Sequence, residues 1–155
     1  MLFVTNMSSC SGCTTELIIL LFLNYLRHLI KYAMTEALKQ LSKLLEGELF
    51  FDTTMRTLYA TDASAYREMP LAVAVPKTTG DIKKLIAFAL ENKTSIIPRT
   101  AGTSLAGQVV GNGIIVDVSK YFTKIIELNT EENWVRVQPG VIRDELNMFL
   151  KPNGL

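Results

Sequence analysis

Residues 71–118, LAVAVPKTTGDIKKLIAFALENKTSIIPRTAGTSLAGQVVGNGIIVDV, decide the fold, because apolar runs and one amphipathic run follow each other in a telling order. Residues 71–75 (LAVAV) read as a buried strand stopped by Pro76. Thr78 and Asp81 have the Thr-x-x-acid spacing of a capping box, in which hydroxyl and carboxylate satisfy the free N–H groups of a first helical turn. Behind them Ile82, Leu85, Ile86 and Ala89 make one apolar face of a helix running to about Asn92. Residues 95–97 (SII) predict a second strand closed by Pro98, and residues 99–112 a loop holding Gly102, Gly107 and Gly111. A third strand follows at 114–118 (IIVDV). Strand, helix, strand, loop, strand predicts a small α/β unit with parallel pairing, since parallel neighbours need a long crossover.

Upstream, Ala37, Leu38, Leu41, Leu44 and Leu45 recur at helical spacing from Met34 to Leu45, and Gly47 ends that helix. Residues 48–52 (ELFFD) predict a short strand, and a polar stretch at 61–68 (TDASAYRE) leads to Pro70. Downstream, residues 123–128 and 134–138 are short, β-branched and separated by the polar 129–133 (NTEEN), the signature of an antiparallel hairpin. Pro139-Gly140 breaks it, and helical spacing resumes through Ile142, Leu146, Phe149 and Leu150. The expected class is α+β: an N-terminal helix, a small parallel α/β subdomain, and the start of an antiparallel subdomain. The end at Leu155, just after a helix, predicts a domain truncated at its C-terminus.

Composition narrows the function. With 48% hydrophobic and 20% charged residues, the 155-residue chain is no disordered tail. Sixteen basic against fifteen acidic side chains give a net charge of +1, so no electrostatic case exists for nucleic acid. Cys10 and Cys13 have metal or redox spacing, but His28 is the only histidine and no second Cys pair completes a tetrahedral site. No metal is therefore expected, and His28, beside Arg27, reads as solvated. No Ser/His/Asp or Cys/His arrangement can be built downstream. The apolar run Leu17–Leu26 has ten residues against the ~20 that span a bilayer, and no Lys or Arg precedes it. It predicts neither a membrane span nor a secretory signal. Residues 1–33 read as an N-terminal extension, either an amphipathic helix or the product of a start codon assigned too early. A cytoplasmic location follows, with peripheral membrane attachment as the variant.

The chemistry is concentrated in Pro98-Arg-Thr-Ala-Gly-Thr-Ser-Leu-Ala-Gly-Gln108. Small residues after a buried strand let an anion approach the main chain, and successive N–H groups in such a concavity form an anion nest. The hydroxyls of Thr103 and Ser104 add donors, and Arg99 adds charge. The fingerprint G-x-G-x-x-G fails on spacing. The pattern G-x-x-x-x-G-K-[ST] fits at Gly102 and Gly107 but continues Gln108-Val109, without the Lys and hydroxyl that ATP chemistry needs. A Gly-rich surface turn that binds nothing is the plain alternative.

Several stretches in order resemble the FAD-binding domain of the p-cresol methylhydroxylase/vanillyl-alcohol oxidase superfamily. They are Asp62-x-Ser64-x-Tyr66-Arg67 with Pro70, the strand Ala72–Pro76, Arg99–Gln108, Gly113–Ser119 and Val137-Gln-Pro-Gly-Val141. Within it, the chain is most similar to the branch of FAD-linked D-lactate dehydrogenases and glycolate oxidases. The resemblance implies that Arg99, Thr100, Ala101, Gly102, Thr103 and Ser104 wrap the FAD pyrophosphate, with Gly107 and Gln108 completing the turn. Val137–Val141 would border the cofactor from the second subdomain. In the family the loop usually starts Arg-Gly-Gly-Gly-Thr, and in this chain Thr100 and Ala101 replace the first two glycines. The implied domains are a leading helical segment at 34–61 and the FAD-binding domain at 62–155. The implied reaction is oxidation of a 2-hydroxy acid with hydride passing to FAD and on to an electron acceptor, the catalytic groups lying beyond residue 155. The alternative is a non-catalytic nucleotide- or phosphate-binding module, or a structural chain without ligand.

Other polar residues have structural explanations. Asp117 is expected on the exposed side of a half-buried strand. Asp62, Ser64 and Tyr66 suit capping and turn hydrogen bonds. Trp134 suits strand packing, and Glu131-Glu132 a solvated turn.

Overall fold

From Cys13 to Leu44 the chain has neither Pro nor Gly, and straight-chain residues dominate, so nothing interrupts helix propagation. In the computed structural model, which describes residues 13–154, this stretch is one helix, α1 (Cys13–Leu44). The helix predicted from Met34 thus begins much earlier. The Cys10–Cys13 pair lies outside the residues whose side chains are described.

The chain divides after Ala37 into two units. Among the described residues of the first, which lie in α1, Leu17 to Leu23, Tyr25, Leu29, Ile30 and Tyr32 are all exposed. His28 is also exposed. The ten-residue apolar run sits within a helix, Glu16–Leu44, that is long and apolar enough to cross a membrane. Counting the run alone understated that length.

The second unit starts with Leu38 and Leu41, both buried, at the end of α1. Strand β1 (Glu48–Phe50) follows, then a short helix α2 (Thr53–Leu58). Asp52 caps α2 by accepting the Met55 amide at 3.0 Å. Sequence reading missed α2 because its residues carry no apolar periodicity. Next come β2 (Ala72–Val75), α3 (Thr79–Glu91), β3 (Ile96–Arg99) and β4 (Ile114–Asp117). The sheet order is β1-β2-β4-β3, with β2, β4 and β3 parallel and β1 antiparallel on β2. Strands β2 and β4 are buried on both faces, which explains their unbroken apolar runs. Pro98, expected to close a strand, lies inside β3. The strand tolerates it because β3 is the sheet edge, where a missing N–H breaks no ladder.

The predicted capping box is present: Thr78 Oγ accepts the Asp81 amide at 3.2 Å. Asp81 does more than cap. Its fully buried carboxylate also accepts the amides of Glu46 (2.9 Å), Gly47 (3.0 Å) and Lys77 (2.9 Å), joining the end of α1 to α3. Burial pushes its pKa up, but these backbone amides outweigh burial and hold it below the usual carboxylate range.

The antiparallel hairpin is β5 (Ile125–Asn129) with β6 (Trp134–Val137), followed by α4 (Arg143–Leu150). Trp134 is half-buried, with its indole N–H donated to Glu132 at 2.7 Å, and Glu131 and Glu132 are exposed.

Candidate functional site

Parallel strands of an open α/β sheet leave a crevice beyond their carboxyl ends, and ligands settle there. In this sheet β3 and β4 end side by side at Arg99 and Asp117. Beyond them lies a cleft of about 500 Å³ lined by Thr100, Ala101, Ser119 and the corner Pro139–Arg143.

The loop after β3 is held from behind. Gly102 (φ +68°) accepts the Ala63 amide at 3.0 Å, and a Cβ there would sit 2.5 Å from the Arg99 guanidinium. Arg99 turns back into the protein: Nη1 donates to the carbonyl of Thr61 at 2.7 Å, and the guanidinium lies 5.1 Å from the centre of the Tyr59 ring. Its charge therefore serves the 59–61 segment. Gly107 (φ +71°) is pressed against the Tyr66 ring. The Ser104 hydroxyl donates to Gln108 Oε1 at 2.6 Å and accepts the Gln108 amide at 3.1 Å, closing the turn between them.

The eight predicted loop residues thus split into groups. Thr100 and Ala101 line the large cleft, Arg99 and Gly102 pack on each other outside its lining, and Thr103 is exposed. Gly107 belongs to a second hollow of about 240 Å³ beside Tyr66, Arg67 and Val110, and Ser104 and Gln108 shape the turn next to it. Among the described residues, no protein acceptor takes the amides of Thr100 to Leu105. Unpaired donors clustered around a left-handed glycine are what an anion needs, so the loop fits the phosphates of a dinucleotide.

Asp62 accepts the Ser64 amide at 2.9 Å, and Ser64 Oγ accepts the Tyr66 amide at 3.1 Å, the turn bonds expected of them. Hydrogen bonding from Ser64 is the main cause that keeps the Asp62 carboxyl below its ordinary pKa. Ser104 and Val109 lie near enough to add to that lowering, although Oδ2 closes no hydrogen bond of normal length.

Asp117 corrects an expectation. It is buried, only 8% exposed, because β4 is an interior strand covered on both faces. Oδ2 accepts the Tyr59 hydroxyl at 2.7 Å, while Oδ1 accepts the Ser119 amide at 2.9 Å and its hydroxyl at 2.6 Å. Burial, then the hydrogen bond to Asp117, push the Tyr59 pKa up to about 12. Sequence reading gave no role to Tyr59, Ser119 or Arg143. The Asp-x-Ser spacing at a strand end was the available signal for Ser119, and a cation just past the Pro-Gly break was the signal for Arg143.

Comparison with known proteins agrees with this geometry. A family profile described as an FAD binding domain matches residues 70–155. A D-2-hydroxyglutarate dehydrogenase of Haemophilus influenzae is 45% identical over 113 residues, covering 71% of this chain and 11% of that protein. A mitochondrial D-lactate dehydrogenase [cytochrome] of Kluyveromyces lactis is 34% identical over 137 residues, covering 81% of this chain and 24% of that protein. The chain therefore spans between about a tenth and a quarter of these relatives. The substrate-bound crystal structure of p-cresol methylhydroxylase superposes with a TM-score of 0.65 at 19% identity, over 78% of this chain and 25% of that one, a likeness of fold.

Proposed function

The chain belongs to the FAD binding domain family, matched over residues 70–155, and from that premise we propose that it positions the flavin in an oxidoreductase for a 2-hydroxy acid. The observation that carries this reading is the set of unpaired amides from Thr100 to Leu105 beside the cleft. The domain begins at Asp62, whose turn the loop rests against. Bound FAD supplies hydride acceptance from the substrate α-carbon. The chain's own share is binding and orientation. Thr100 and Ala101 offer amide donors, Gly102 gives the loop its left-handed turn over Arg99, Arg143 adds positive charge at the rim, and Pro139–Val141 form an apolar border. The relative at 45% identity supports D-2-hydroxyglutarate as the hydroxy acid, with D-lactate and glycolate as other members of the same class. The complete protein would have a separate electron acceptor as its other partner. We place the protein in the cytoplasm, attached to a membrane surface, and the long apolar helix near the N-terminus suits the membrane contact alone.

Energetics separate this chain from the protein it belongs to in this reading. About four charge-assisted hydrogen bonds at roughly 2 kcal/mol each give about 8 kcal/mol. Association costs an estimated ~4–15 kcal/mol in lost freedom and ordering. The loop alone roughly breaks even, so tight binding needs ring burial supplied by further sequence. FAD fluorescence titration tests this: the complete gene product binds FAD tightly, and the 155-residue chain does so weakly or not at all. Submicromolar affinity in the short chain refutes the energetic argument. A colourless complete product whose melting temperature rises with ATP and not with FAD refutes the flavin assignment.

A further inference from the structure

Ser119 has two hydrogen-bond donors, and Asp117 takes both. The amide reaches Oδ1 at 2.9 Å and the hydroxyl reaches the same oxygen at 2.6 Å. A serine hydroxyl carries one hydrogen and two lone pairs, whereas a carboxylate only accepts. With its hydrogen committed, Ser119 offers the cleft it lines nothing but lone pairs.

That commitment is enforced from behind. Asp117 is buried, and its other oxygen accepts the Tyr59 hydroxyl at 2.7 Å. The Tyr59 ring is held in turn by the Arg99 guanidinium. Several other polar groups along the cleft have the opposite character. Thr100 and Ala101 present unpaired amide N–H groups, and Arg143 presents a guanidinium. Phosphate oxygens suit those donors, but against Ser119 they would set lone pair against lone pair.

We propose that Ser119 is a specificity-determining acceptor in the cofactor cleft. It takes a hydroxyl or N–H group of the bound dinucleotide, never a phosphate oxygen, and Asp117 is its positioning residue. The proposal rests on the flavin reading and adds a polarity map to it: anionic groups on the 100–101 side, a hydrogen-bond donor at 119.

The test uses the complete gene product, stripped of flavin. FAD affinity is read by fluorescence quenching, and inorganic pyrophosphate is read as a competitor. Ser119→Ala is expected to weaken FAD about 5–10-fold, the loss of one hydrogen bond, and to leave the pyrophosphate constant within about twofold. Ser119→Thr keeps the hydroxyl and is expected to restore FAD binding. Asp117→Ala frees the serine hydrogen to donate, so pyrophosphate is expected to tighten relative to FAD, a ratio that loss of stability alone does not move. If Asp117→Ala fails to fold, the Ser119 pair still decides the question. Unchanged FAD affinity in Ser119→Ala, or equal losses for FAD and pyrophosphate, overturns the proposal. An unchanged ratio in a folded Asp117→Ala protein overturns the positioning role. A wild-type protein that takes up no FAD overturns the flavin reading as well, so the two failures are distinguishable.

Discussion

Gly102→Ala tests how the loop after β3 is held. The residue sits at φ +68°, a conformation that costs a residue with a Cβ about 1–2 kcal/mol. Its new Cβ would lie 2.5 Å from Arg99 Nη2 and 2.8 Å from Cζ, so the guanidinium must move. Movement breaks the 2.7 Å hydrogen bond to the Thr61 carbonyl, which at a partly exposed site is worth about 1–2 kcal/mol. The expected loss is thus about 2–4 kcal/mol, or a fall in melting temperature of roughly 5–15 °C for a chain of this size. Urea unfolding of the wild type, Gly102→Ala, Arg99→Ala and the double variant measures it as a cycle. Without Arg99 the steric part disappears, and Gly102→Ala is expected to cost only its backbone share, leaving a coupling of about 1–2 kcal/mol. If Gly102→Ala falls within ~0.5 kcal/mol of wild type, or the cycle is additive, the loop is not pinned through Arg99.

Asp81→Ala strands the amides of Glu46, Gly47, Lys77 and Thr78 and is expected to cost about 3–5 kcal/mol, read by urea midpoint. Because the folded carboxyl titrates below its unfolded value, its stabilisation is present above that unfolded value and is lost as pH falls through the lower folded one; Asp81→Asn is expected to remove this acid-side slope. Tyr59 has the opposite sign: its share of stability is complete below pH 10 and fades as pH rises towards about 12, so one late tyrosinate step at 295 nm should vanish in Tyr59→Phe. Arg143→Gln is expected to weaken FAD binding by the complete product about 2–5-fold at low salt and hardly at all at high salt, with Arg143→Lys keeping the salt dependence.

What could be read in the sequence was local, and what could not was decided by neighbours distant along the chain. The Thr78/Asp81 capping box is a contact within one helical turn, so spacing alone revealed it. The hairpin of β5 and β6 is equally local. Pro98 misled because its effect depends on whether β3 is an edge strand, a fact of sheet order. Asp117 misled for the same reason: an interior strand buries even its polar residue when partners arrive from residues 59 and 119. The span of α1 was hidden by counting apolar residues and ignoring the absence of helix breakers around them. In the site, the loop was visible as a cluster of small residues, but Arg99 read as a ligand charge. Its carbonyl partners at Tyr59 and Thr61 lie about forty residues upstream, beyond any local signal.

The cleft exists because one short segment holds both of its sides. Val118, just past β4, donates its amide to the Arg99 carbonyl at 3.0 Å and so fixes where the 100–105 stretch begins. Four residues on, the Phe122 carbonyl accepts the Gly140 amide at 2.8 Å and fixes the Pro139–Arg143 corner. The hairpin reinforces that second hold, since the Lys124 amide reaches Gln138 Oε1 at 2.9 Å and the Gln138 amide reaches the Lys124 carbonyl at 2.9 Å. Ser119 lies between the two attachment points and is itself locked by Asp117. The spacing between the free amides of the 100–105 stretch, Ser119 and the apolar corner is therefore set by backbone hydrogen bonds to residues 118–122. Side-chain changes within the loop alter what the cleft binds, whereas changes that disturb this backbone segment alter whether it is a cleft at all.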